Sequence, residues 1–159
     1  SARAALAGLD RVMVHLERAE KTFEAVATRA QDRGLEVIAL NARLQLGLCA
    51  KYRNDPASAW DTFEEVRSGA RGNLFSIDFF ACLGAAWAAA AQGRWHEAET
   101  PIMHAEDLRY DVRLRDPEAE EMRISIRKLA TDARRPDIVE RIKRLDILRT
   151  KTGSTQHTL

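Results

Sequence analysis

The chain has 159 residues, with 25 Lys and Arg, 24 Asp and Glu, and 45% hydrophobic residues. That is enough for one globular domain with a core of its own, and it excludes collagen-like, low-complexity and disulfide-scaffold classes. No apolar run reaches the 18 or more residues of a membrane span; the alanine-rich stretch Ala85–Ala91 is too short, so no membrane association is expected. No secretory signal is visible. Cys49 and Cys82 lack the close spacing of a metal or redox motif. They read as small buried residues of a reduced compartment, and the expected location is cytoplasmic. The chain opens on Ser1 rather than Met, which points to processing or to a segment of a larger protein.

The near-zero net charge hides an asymmetry. Residues 1–122 carry 15 basic and 20 acidic side chains, whereas residues 123–151 carry 10 basic and 4 acidic. A basic end of this kind can form a solvated helix face, meet nucleic acid, or dock on the acidic remainder of its own chain.

Seven helices are expected. The first spans 3–32, where Leu9, Val12, Leu16, Ala19, Phe23, Val26 and Ala30 step by three and four along one stripe. Such spacing also fits a coiled-coil seam. Weak Ala positions favour packing against the next helix instead. Gly34 suits the left-handed position past the first helix. The second helix, 35–53, puts Val37, Leu40, Leu44 and Leu48 on one face and Ala39, Leu46 and Ala50 beside it, so contact on two sides is expected. Asp55 and Pro56 supply an N-cap and a first-turn proline for the third helix, 56–68.

The fourth helix, 74–92, begins aromatic with Phe75, Phe79 and Phe80 and continues as alanine with Gly84 and Trp87. The aromatics read as core more readily than as anchors for a partner. Pro101 is expected to kink or shorten the fifth helix, 95–109. Asp116-Pro117 opens the sixth, 117–133, with Met122, Ile126 and Leu129 or Ala130 inward. Pro136 opens the seventh, 136–149, with Ile138, Ile142 and Leu145 at helical spacing. Residues 152–159 read as a flexible tail.

A signature recurs through these helices. Ala19, Phe23 and Val26 are followed by Ala59, Phe63 and Val66, then by Ala98, Ile102 and Ala105, at steps of forty and thirty-nine residues. A period of this size marks stacked repeat units, each unable to bury both its faces alone. The preceding helices carry Leu46-Gly47 and Leu83-Gly84, whose glycines would let the second helix of the same unit approach. The signature is last seen near residue 109, so the helices of 117–149 read as a cap.

These residues resemble the tetratricopeptide repeat. That family places Leu-Gly in its first helix and a small residue, an aromatic and a small residue along its second. Gly93-Arg94-Trp95-His96-Glu97-Ala98-Glu99 is similar to its interhelix turn. The likeness covers about residues 15–109. It departs from the family in its longer period, its unequal turns and the missing closing proline. The resemblance implies an all-α solenoid of stacked antiparallel helix pairs forming one domain over 1–151. It also implies a concave wall that takes a protein or peptide, as in the longer-helix subtype found in large bacterial regulators. That wall would present Asn41, Leu44, Leu48 and Lys51 from one unit, then Asp78, Ala81 and Ala85, with Ala88, from the next.

Catalytic chemistry finds no assembled set. His96 and His104 lack a third metal ligand between them, and no phosphate-binding or dinucleotide glycine pattern occurs. No cofactor or metal is expected. Three functions stay open. They are an interaction or sensor segment of a larger regulator, a free-standing chaperone or adaptor, and nucleic-acid contact through Arg134, Arg135, Arg141, Lys143 and Arg144. The last lacks interleaved aromatics.

Overall fold

In a computed structural model the chain is described over residues 2–71, 74–108 and 117–145, with side chains from residue 13 onward. It is all-helical there: α1 (Ala2–Asp32), α2 (Glu36–Tyr52), α3 (Pro56–Ala70), α4 (Phe75–Ala91), α5 (Trp95–Leu108) and α6 (Pro117–Asp132), followed by α7 over 136–145. No strand occurs among the described residues. The expected boundaries hold to within two residues. The end of the seventh helix, 146–149, and the tail 152–159 lie outside the described residues.

Four of the turns between helices share one geometry. Gly34, Asn54, Gly93 and Arg134 all have positive φ, between 56° and 71°. In each turn the next residue donates its N–H five positions back, always to an alanine carbonyl. The bonds are Leu35 to Ala30 (2.8 Å), Asp55 to Ala50 (2.9 Å), Arg94 to Ala89 (2.9 Å) and Arg135 to Ala130 (2.8 Å). This is the Schellman closure, in which a left-handed residue satisfies the orphan carbonyls of a helix end. The donating residue then accepts the first bond of the next helix, as Asp55 does from Ala59 and Arg94 does from Ala98. Asp55 also caps α3 as expected, its carboxylate taking the Ser58 N–H (3.3 Å) and hydroxyl (2.8 Å).

Consecutive helices pack together from α1 to α5, and α4 also lies against α2 and α6. α4 is therefore walled on all sides, and every residue from Asp78 to Ala90 is buried. Its alanines let these neighbours approach. Phe79, Phe80 and Trp87 belong to the core, whereas Phe75 is 41% exposed. Pro101 neither ends nor shortens α5. The proline is buried, and Ala98, Ile102 and Ala105 are fully buried on the same helix.

The recurring signature extends further than expected. Ile138, Ile142 and Leu145 repeat the spacing forty residues after Ala98, and they are 0%, 0% and 3% exposed. The cap thus carries a fourth occurrence, with isoleucine where the earlier helices have alanine. At the other end the pattern turns. Val26 is exposed, and Ala27 takes the inward place. α1 packs against α2 alone among the described residues, so only the stripe facing that neighbour is covered. Val37, at the open start of α2, is likewise exposed rather than inward.

The glycine pairing also differs from expectation. A Cβ on Gly47 would lie 2.7 Å from the Phe63 ring, and one on Gly84 would lie 2.6 Å from the same ring. Gly84 therefore serves the helix before it, not the helix of its own pair. Phe63 is clamped between the backbones of α2 and α4.

Candidate binding site

The expected wall residues divide on inspection. Leu44, Leu48, Ala81 and Ala85 are 5%, 3%, 0% and 0% exposed, and Ala88 is fully buried. These five are core; α4, on which three of them lie, packs against α2 and α6 as well as against α3 and α5. Asn41 is exposed. The Lys51 ammonium lies over the Tyr52 ring (5.4 Å) and the Trp87 ring (5.5 Å), which ties α2 to α4. Burial and the Glu121 and Glu118 carboxylates push the Tyr52 phenol up, so the acidic start of α6 lies near the end of α2.

Two of the five basic residues, Arg135 and Arg141, are drawn toward α5. Arg135 pairs with Asp137 (3.0 Å) and with Glu99 of α5 (3.4 Å), and stacks over the Trp95 ring at 5.7 Å. Arg141 pairs with Glu106 of α5 through both Nε and Nη2. Lys143 lies 3.7 Å from Glu140. Arg134 occupies the left-handed turn position and is exposed, as is Arg144. Arg135 and Arg141 thus pair with acidic residues of α5, while Arg134, Lys143 and Arg144 stay exposed.

Asp78 has a different setting. It stands in the first turn of α4, 9% exposed, at a cavity of about 350 Å³ between the end of α3, the start of α4 and the end of α5. Phe75 and Leu108 supply apolar wall. Glu64, Arg67, Arg71, His104 and Asp107 supply charge or hydrogen bonds. The Arg67 guanidinium bonds the Glu64 carboxylate and the His104 Nδ1, joining α3 to α5. Arginine can only donate, so that imidazole nitrogen accepts.

Behind Asp78 the Cys82 thiol donates to its Oδ1 at 3.5 Å. Burial, the largest cause, raises the Cys82 pKa to about 12. Cys82 is therefore a thiol at neutral pH, and a thiol is not the nucleophilic form. Cys49, also buried, is raised by burial too. No group of three or more His, Cys, Asp or Glu suited to a metal ion occurs among the described residues. No helix there is long and apolar enough to cross a membrane.

Of the cavity residues only Asp78 was expected on the wall; Phe75 was weighed as core or anchor and His104 as a metal ligand. A signal for Arg67 exists in the recurring signature, and Glu106, which does not line the cavity, holds the equivalent place. Arg67 follows Val66 and Glu106 follows Ala105, the third signature positions of successive units. Each reaches two helices on, Arg67 of α3 to His104 of α5 and Glu106 of α5 to Arg141 of α7. Compared with known proteins, the chain matches no family model, no curated protein and no solved structure.

Proposed function

We propose that this chain is a non-catalytic helical-repeat module of the tetratricopeptide-like kind, which binds a protein or peptide as the interaction segment of a larger bacterial regulator. The observation that carries this is the repeated closure. The turns after α2, α4 and α6 place Asn54, Gly93 and Arg134 in one backbone state at steps of thirty-nine and forty-one residues. The buried triplets that start at 59, 98 and 138 follow four or five residues after each turn, at steps of thirty-nine and forty. Identical closures followed by equivalent buried triplets are what stacked supersecondary units require. The expected wall is replaced by the cavity of α3, α4 and α5, which has the size of a pocket for one or two side chains.

Selection of displayed random dodecapeptides on the immobilised chain tests the binding function. Enrichment of a consensus with saturable binding is the expected result. Failure to enrich any peptide overturns it. The regulator context has its own test in the native gene, where an ATPase, kinase or DNA-binding domain should adjoin this segment. A gene without any of these leaves the free-standing adaptor as the better account.

A further inference from the structure

We infer that the cavity between α3, α4 and α5 receives a lysine or arginine side chain of the bound peptide, with Asp78 as its principal acceptor. This rests on the peptide-binding function proposed above and gives it a chemistry. The charges at the cavity are three carboxylates, Glu64, Asp78 and Asp107, against two guanidiniums, Arg67 and Arg71. Internal pairing removes Glu64 and Arg67, which hold each other, with Arg67 also held by His104. That leaves Asp78 and Asp107 against Arg71, a surplus of one carboxylate, with Asp78 the more deeply buried of the two.

Asp78 is more than nine-tenths buried. A buried carboxylate needs strong donors, and a thiol at 3.5 Å is a weak one. The N-terminal dipole of α4 offsets part of that cost. The dipole explains an acidic first turn; the cavity that Asp78 lines gives a charged side chain of a ligand a way to reach it. An incoming ammonium or guanidinium supplies charge-assisted donors. The walls suit the rest of such a side chain. Phe75, 41% exposed, offers a ring face to a cation, and Leu108 offers apolar surface to the methylene stem. An anionic ligand would have to compete with Glu64 and His104 for Arg67 and would face Asp78 directly.

The test uses the full chain and blocked, fluorescein-labelled heptapeptide pools that are random except for a central Arg, Lys, Glu or Leu. Binding is followed by fluorescence anisotropy. The Arg and Lys pools should bind about tenfold more tightly than the Glu and Leu pools, and Asp78→Asn should remove that preference. Asp107→Lys, at an exposed position, should weaken the Arg and Lys pools in a variant whose melting temperature is unchanged. That keeps the test valid if Asp78→Asn fails to fold. Pools that bind without a basic preference, or with a preference insensitive to both substitutions, overturn the inference and leave the binding module standing. If no pool binds at all, both fall.

Discussion

Phe63 is held on two sides by backbone rather than by side chains. Gly47 and Gly84 come so close to its ring that any Cβ must displace a fully buried aromatic. Gly84→Ala gains roughly 1 kcal/mol of helix propensity. It loses about 1–3 kcal/mol to overpacking, because a ring clamped from both faces has nowhere to move. Net destabilisation is expected in thermal melts. Phe63→Leu in the same chain should return part of it, a coupling that a double-mutant cycle measures. The Leu-Gly pairs are visible in the sequence as a motif. That both glycines serve one ring is not, since the assignment depends on which neighbours α4 has in space. Cys82 carries a second residue-scale consequence. Its pKa is raised from 9.0 to about 12 by burial. Between those values the folded chain keeps a proton that the unfolded chain releases, so stability is complete below pH 9 and falls as pH rises toward 12. The slope from this group is about 1 kcal/mol per pH unit within that window. Urea titrations between pH 9 and 10.5 should show a shallower decline in Cys82→Ala than in the parent chain; equal slopes would contradict the burial argument.

At the scale of elements, helix existence was legible because periodicity and stop signals agree. Asp55-Pro56, Gln92-Gly93 and Arg135-Pro136 each mark a helix junction in both sequence and structure. Arg134 was not legible as a turn residue, since arginine has no preference for positive φ. Its place is dictated by the Schellman bond from Arg135 to Ala130 and by Pro136 beyond it. A left-handed conformation costs a residue with a Cβ roughly 1–2 kcal/mol, and glycine avoids that cost. Arg134→Gly should therefore raise the melting temperature by a few degrees, while Gly93→Ala lowers it. The fourth signature was also missed, because Ile138 replaces the small first residue. The buried face follows spacing rather than residue size, and α7 accommodates isoleucine where α3 and α5 need alanine.

Across the whole molecule, the burial of α4 decides which surface is left for a partner. The face expected to line a groove is filled by α2 and α6, and the basic end of the chain is spent in part on Glu99 and Glu106. The sequence showed the repeat and the surplus of basic residues in its last fifth. It did not show that α6 packs against α4, because that depends on which helices meet in space. Asp78 was marked on the expected groove and belongs instead to a cavity assembled from three helices, two of which contributed no candidate residue. The central claim is that a partner peptide binds at this cavity through a basic side chain. Amide chemical-shift mapping of the labelled chain, titrated with the central-Arg heptapeptide pool, tests it most directly. Saturating shifts should cluster at Phe75, Asp78 and Leu108. Shifts confined to residues 134–144, or none near α4, would contradict it.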